Sequence, residues 1–463
     1  MAIDVSGMSR RSLLGAALVF AVVLAASLAG ILTRPVGFLA AFWPANALLL
    51  GLFVRFPALA SWRGWAAALA GYAMADLATG GAPALSLWLT AANLAGVATG
   101  VALFRRARAE DRALGRPLSV LVLFAILAAA AGVCALVGAG IAPVYFDRPL
   151  WSGLAFWFTT ELVNGIVVLP VILSARPIPP LSCLLAGGGR ARLLRIAPLA
   201  LLLAALVLGY WVGGMGLLAF PSPALLLCAL AYPTFATVLA TMLVSIWQLI
   251  AVSLGWAGAP AIEIDATTMT DRLSIMLLAL GPLTVACVNA ARVEATDRLA
   301  RLATYDTLTG ALTRSAFTDQ AEAVLAAGKG PLAVVLLDID HFKRINDDHG
   351  HRVGDQALAR FAGIVARSLR ESDLFGRIGG EEFAVVLAGT GRTNAEAIAA
   401  RVRCAVEADG CPLPDGGTLR FTVSIGVAHV DHVGGETLDR LIARADAALY
   451  GAKRAGRNRI EMA

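Results

Sequence analysis

Charge is what this chain has least of. Only 15% of its 463 residues are charged, against about 25% in ordinary soluble domains, and no lysine occurs before Lys329. The formal net charge of +6 comes largely as arginines in short segments between apolar runs, which argues against a groove lined for nucleic acid. The six cysteines, Cys134, Cys183, Cys228, Cys287, Cys404 and Cys411, include no C-x-x-C pair. A zinc or disulfide framework is thereby disfavoured, and small buried hydrophobes are the simpler reading.

Apolar residues fill the gap: 58% of the chain is hydrophobic and the mean hydropathy is +0.75. A bilayer core takes about 20 apolar residues per helix. Candidate spans fall near 13–32, 36–54, 64–80, 84–104, 118–142, 151–174, 196–213, 215–232, 234–256 and 272–290, roughly eight to ten helices. Arg10 and Arg11 precede the first span as they would in a signal peptide, but the run is long enough to cross and reads as a retained helix.

Arginine placement predicts the orientation. With the N-terminus inside, the inner loops hold Arg55 and Arg63, then Arg105, Arg106, Arg108, Arg112 and Arg116, then Arg176, Arg190, Arg192 and Arg195. The outer loops hold Arg34, Arg148 and the acidic stretch Glu263–Asp265. This asymmetry predicts two cytoplasmic termini. Asn46, Asp76, Asn93, Glu161 and Asn164 fall at membrane depth, where polar groups mark a ligand site, an ion path or a packing contact.

The composition changes after Asn289. Residues 1–290 read as a transmembrane sensor domain, 291–305 as a helical linker and 306–463 as a soluble α/β domain. Val288, Ala295, Leu299 and Leu302 are spaced 7, 4 and 3 apart, a short coiled-coil-like seam leaving the membrane. Beyond Asp306 the pattern predicts a helix over Ser315–Ala327 and a buried strand over Pro331–Asp338. Helices at 341–347 and 354–370 follow, then a hairpin about Gly379 and Gly380, a helix at 394–408 and a strand at 418–428. A helix at 437–453 and a strand at 458–462 complete one sheet with flanking helices.

Two constellations carry chemistry. Gly379-Gly380-Glu381-Glu382-Phe383 lies between strand-like runs, so the glycines predict a tight turn, with cheap positive φ, that exposes two carboxylates. Asp338-Ile339-Asp340-His341-Phe342-Lys343 closes the buried strand and continues to Asn346 and Asp355. Carboxylates at the end of a buried strand are costly without a cation or ligand, so Asp338 and Glu381 together predict Mg²⁺ on triphosphate oxygens. Asn346 and Asp355 offer groups able to read a guanine edge.

These motifs, with Asp306-Thr-Leu-Thr-Gly310 and Ala452-Lys453-Arg454-Ala-Gly456-Arg457-Asn458, resemble the GGDEF family of diguanylate cyclases in its G-G-E-E-F variant. The resemblance implies a palm-like α/β fold similar to that of adenylyl cyclases, behind a polytopic α-helical membrane domain. It implies Mg²⁺, with Mn²⁺ as the alternative, on Asp338, the Ile339 carbonyl and Glu381. Glu382 would assist and Glu381 would help deprotonate the attacking hydroxyl. Phe342, Lys343, Lys453 and Arg457 would lie by the phosphates, Asn346 and Asp355 by guanine, and Gly379 and Gly380 would leave room for the nucleotide.

Two GTP would become cyclic di-GMP across a homodimer. Arg370 and Asp373, in R-x-x-D five residues before Gly379, with Arg377, would form an inhibitory product site; the alternative is a helix-end salt bridge. Ala311, Thr313 and Ile378 depart from the family's usual residues without removing a ligand contact.

Phe42-Trp43-Pro44-Ala45-Asn46, Trp157 through Pro170 and Pro221–Gly255 resemble the first class of MASE membrane-associated sensors. That implies a multi-pass protein of the bacterial inner membrane, in contact with lipid and with its catalytic domain in the cytoplasm. Rival readings are a silent nucleotide-binding relay, which predicts a broken metal or hairpin residue, and a transporter, which predicts internal repeats. The intact motifs favour the enzyme.

Overall fold

The computed structural model describes residues 5–32, 42–176, 188–253, 264–328, 330–413 and 417–463. Arg34, Cys183, Glu263, the beginning of the expected 36–54 span and the end of the 234–256 span lie outside them. The chain forms two units, Met1–Glu294 and Ala295–Ala463.

The first unit is helical. Its elements are α1 (Val5–Leu32), α2 (Ala45–Arg55), α3 (Trp62–Ala78), α4 (Pro83–Arg106), α5 (Ala109–Arg112), α6 (Ser119–Gly138), α7 (Ile141–Tyr145) and α8 (Leu150–Ser174). After these come α9 (Gly189–Val212), α10 (Met215–Ala219), α11 (Pro221–Ala231), α12 (Thr234–Ser253) and α13 (Ile264–Thr304), whose last turns, from Ala295, belong to the second unit. Among the described residues, seven helices are long and apolar enough to cross a membrane, and Ala45–Arg55 and Gly216–Ala231 are apolar but shorter. At about 1.5 Å per residue, the 11 residues of α2 fall well short of a bilayer core of about 30 Å. Polar side chains collect around α8, whose apolar window is 78% buried.

The second unit holds the sheet. Its elements are α14 (Arg314–Ala326), β1 (Leu332–Ile339), α15 (Phe342–His349), α16 (His351–Arg367), β2 (Leu374–Arg377), β3 (Glu382–Ala388) and α17 (Arg392–Ala408). The short strands β4 (Cys411–Pro412) and β5 (Thr418–Leu419) follow, then β6 (Val423–Val430), α18 (Leu438–Arg454) and β7 (Ile460–Met462). The main sheet runs β2-β3-β1-β6-β7, with β1 antiparallel to both neighbours and β6 parallel to β7.

The unbroken apolar run of β1 follows from helices on both faces of the sheet. Ala333, Val335 and Leu337 share one core with Phe361, Val365 and Val402, while Val334 and Leu336 share the other with Phe317, Leu441 and Leu449. Thr313 caps α14 and Thr437 caps α18, each hydroxyl accepting an N–H of the first turn, so the departure at Thr313 keeps a good N-cap residue.

The expected strand 418–428 is two strands. β5 pairs with β4, and Thr422 is then drawn to Asp340. The Thr422 carbonyl accepts the Asp340 N–H at 2.9 Å, and the Thr422 hydroxyl donates to the Asp340 carboxylate at 2.7 Å.

Candidate active site

The site sits where β1 ends. Side chains alternate along a strand, so Asp338 follows Val334 and Leu336 onto the face covered by α18. It is 7% exposed and stands opposite Glu382 in the β1–β3 register. Lys453, in the last turn of α18, places Nζ 2.7 Å from Asp338 Oδ2. Gly426 makes this approach feasible: a Cβ there would overlap the Ala445 carbonyl oxygen and the Leu449 nitrogen, so α18 lies directly on the β6 backbone.

The β2–β3 hairpin brings in Glu381. The Glu382 carbonyl accepts the N–H groups of Ile378 (2.9 Å) and Gly379 (3.2 Å), and the Ile339 N–H approaches the Glu381 carbonyl at 3.4 Å. Behind the turn Phe383 is fully buried, its ring 4.9 Å from Phe361 and 5.5 Å from Phe375.

One expectation is corrected here: neither Gly379 nor Gly380 has a positive φ. The observed crowding is at Gly379 alone. A Cβ on Gly379 would stand 2.5 Å from Glu382 Oε2, whereas nothing lies within 4 Å of such an atom on Gly380.

Arg377 braces the turn. Its guanidinium donates to the Gly380 carbonyl at 2.6 and 3.1 Å and to the Asp306 carboxylate at 3.2 and 3.3 Å. Burial pushes the Asp306 carboxyl up, but hydrogen bonds from Thr309 and the Arg377 charge outweigh it and hold the group below its usual range.

Electrostatics mark the cluster. Burial first, then the Glu382 and Asp340 charges, raise the Asp338 carboxyl despite Lys453. Burial, then Asp338 and Glu382, likewise raise Glu381 despite Lys453. Carboxylates that hinder one another's ionisation favour a cation.

The other predicted residues fall into distinct places. Phe342 is buried in the core and presents only backbone at the start of α15, whereas Lys343 is exposed. His341 turns the chain before them at φ 58°. The Asn346 side chain lies over Gly354, where a Cβ would displace its amide oxygen, and Asp355 is exposed beside it. Arg457 is exposed in a left-handed pair with Asn458, at φ 63° and 45°.

Arg370 is exposed, and the Asp373 carboxylate accepts its backbone N–H at 2.9 Å. No salt bridge among the described residues joins the two side chains. The helix-end ion pair weighed for this motif is therefore not formed.

Sequence reasoning gave Asp340 no role, yet it organises the site. It is 4% exposed and accepts from the hydroxyls of Thr422 and Ser424 at 2.7 Å and from the Asn458 N–H at 3.1 Å. One carboxylate thus ties β1 to β6 and to the loop carrying Arg457. Its only advance signal was its place two residues after Asp338. Asp340→Ala, which strands three donors, is expected to cost about 3 kcal/mol, read as a fall of about 6–12 °C in the catalytic unit's melting midpoint. An unchanged midpoint would remove Asp340 from this role.

Residues 303–459 match the family model described as "Diguanylate cyclase, GGDEF domain". "Probable diguanylate cyclase DgcF" of Escherichia coli O157:H7 is 31% identical over 437 residues, covering 91% of this chain and 89% of that protein. "Diguanylate cyclase DgcP" of Pseudomonas aeruginosa is 43% identical over 162 residues, 34% of this chain and 24% of that protein. Among solved structures, the GGDEF domain of DgcB from Caulobacter crescentus in complex with c-di-GMP is 34% identical, with a TM-score of 0.33, covering 35% of this chain and 93% of that one.

The chain carries a GGDEF domain and belongs to the GGDEF family of diguanylate cyclases. It is an enzyme, a diguanylate cyclase. Such cyclases are generally dependent on a divalent metal, and the donor set fits one. Among the described residues no three His, Cys, Asp or Glu side chains suffice as an ion site alone. One or two carboxylates completed by substrate phosphates is how Mg²⁺ is usually held beside a nucleotide.

Proposed function

We propose that the protein is a membrane-bound diguanylate cyclase that condenses two GTP into cyclic di-GMP and is governed by its helical N-terminal unit and by its product. The observation that carries the reading is the meeting of Asp338, Glu381 and Glu382 with Lys453 at one strand end. Asp338, the Ile339 carbonyl and Glu381, with help from Glu382, would hold Mg²⁺, or Mn²⁺ in its place, and the ion would neutralise phosphate charge.

The protein's residues do the rest. Lys343, Lys453, Arg457 and the backbone at Phe342 receive the phosphates, Asn346 and Asp355 receive guanine, and Gly379 and Gly380 give the nucleotide room. Glu381 takes the proton of a 3′-hydroxyl as its oxygen bonds to the α-phosphorus of the other GTP. The bond from that phosphorus to the β-phosphate bridge breaks and pyrophosphate leaves. A second turn with the roles exchanged closes the ring and releases a second pyrophosphate.

Each catalytic domain holds one GTP, so two copies must face each other. Leu299 and Leu302, 66% and 48% exposed, offer apolar surface for a second copy along the linker helix. We place the chain in the bacterial inner membrane, with a sensor of the first MASE class and a cytoplasmic catalytic domain. Detergent-purified full-length protein given GTP and Mg²⁺ should yield cyclic di-GMP and pyrophosphate at one to two by mass analysis, with specific activity rising with protein concentration. Activity independent of concentration would sink the dimer.

Arg370 and Asp373 form the inhibitory product site, with Arg377 contributing from the far end of β2. Asp373 stiffens the loop through the Arg370 N–H and leaves the guanidinium available. Arg370→Ala is expected to raise the cyclic di-GMP concentration for half-inhibition by about 10- to 100-fold, the worth of one charge-assisted hydrogen bond. Unchanged inhibition would reduce the motif to backbone capping.

A further inference from the structure

The helical unit contains a cavity built around an acid. It is a small cavity, with room for at least one water-sized particle. Asn46 and Glu161 are its polar lining side chains, and the remaining wall is apolar or glycine, including Leu50, Val97, Leu127 and Gly96. Glu161 lies near the middle of α8 and Asn93 near the middle of α4, far from the ends of either helix.

The hydrogen bonds around this cavity run in one direction. The Tyr72 hydroxyl donates to Asn46 Oδ1 at 2.6 Å. Asn46 Nδ2 donates to Asn93 Oδ1 at 3.0 Å, and the Asn46 side chain also hydrogen-bonds Glu161. Tyr72, Asn46 and Asn93 are all buried. Tyr72 donating to Oδ1 and Asn93 accepting from Nδ2 thus fix which way the Asn46 amide points. A carboxylate has about four lone-pair positions, so Glu161 keeps acceptor capacity beyond the Asn46 bond. No lysine or arginine lines the cavity. The N-terminal turn of α2, which carries Asn46, supplies at most about half a positive charge, so an ionised Glu161 would leave the site negative.

We propose that this cavity binds a monovalent cation of about water size, such as sodium or ammonium, with Glu161 as its charged ligand and Asn46 as the group that positions Glu161. A single carboxylate matches one positive charge, and a small cavity suits a compact ion better than a bulky organic cation such as choline. Nothing in this assignment depends on the cyclase chemistry, and its test reads ion binding rather than turnover.

The experiment uses full-length protein in detergent without GTP, melted in chloride salts of sodium, ammonium, potassium and choline at equal ionic strength. Sodium or ammonium should raise the midpoint of the helical unit by at least about 3 °C over choline. The isosteric Glu161→Gln should erase that difference. Equilibrium binding of radioactive sodium to the wild type, displaced by ammonium and not by choline, keeps the test independent of whether the variant folds. Equal midpoints in all four salts with no saturable sodium binding would overturn the proposal. So would an ion response that survives in folded Glu161→Gln, or a midpoint that follows pH alone, which would leave Glu161 as a proton acceptor only.

Discussion

Glu381→Gln is expected to lower cyclic di-GMP synthesis by about 10³-fold or more, the scale of removing an acid–base group, while the protein stays folded. The side chain is half-buried at a turn whose shape rests on backbone bonds to Glu382 and on Arg377, not on the Glu381 carboxylate. Glutamine keeps the volume and loses the charge.

The stability side of this prediction has a definite sign. Burial and neighbouring carboxylates raise Glu381 and Asp338 in the folded protein, so the fold binds their protons more tightly than the unfolded chain does. Such groups make stability fall as pH rises from the ordinary carboxylate range, about 4, through the raised values. Without divalent metal, the catalytic unit's midpoint should decline across that window, and Glu381→Gln should flatten the decline. Melting profiles at successive pH values, with and without Mg²⁺, test this beside turnover. Near wild-type turnover by the variant would remove Glu381 from the reaction, and a steeper decline would reverse the electrostatic account.

Local signals account for much of what the sequence revealed. The apolar run of β1, the helical periods of α16 and α18, and the carboxylates at a strand end are each readable within a few residues. The missing roles depend on distant partners. Asp340 meets Thr422, Ser424 and Asn458 at separations of 82, 84 and 118 residues. Arg377 meets Asp306 across 71. The glycines of the hairpin were read for backbone freedom and for nucleotide space, yet neither has a positive φ, and Gly379 lies against the Glu382 side chain, a contact no local pattern announces. In the helical unit, Asn46, Asn93 and Glu161 were legible as misplaced polar groups, but only the packing of α2, α4 and α8 brings Asn46 against the other two.

Gly426 gives the second large effect, because it joins packing to chemistry. It follows Ser424 on the β6 face covered by α18, and a Cβ there would overlap backbone at Ala445 and Leu449 and lie 2.8 Å from Leu449 Cα. Backbone cannot rotate aside as a side chain can, so Gly426→Ala must lift the helix. Overpacking of this kind costs about 1–3 kcal/mol, sometimes more, and should lower the catalytic unit's midpoint by several degrees. Lys453 stands one turn beyond Leu449 on the same face, and its 2.7 Å pairing with Asp338 depends on the helix staying close. A misplacement of about 1 Å can cost 10²-fold in rate, so turnover should fall on that scale even well below the melting temperature. Lys453→Met should reproduce much of the loss in activity while leaving α18 seated on β6. Its cost in stability should shrink at low pH, where Asp338 is protonated, which separates the charge from the packing that delivers it. If Gly426→Ala melts and turns over like the wild type, close contact between α18 and β6 is not what sets the position of Lys453.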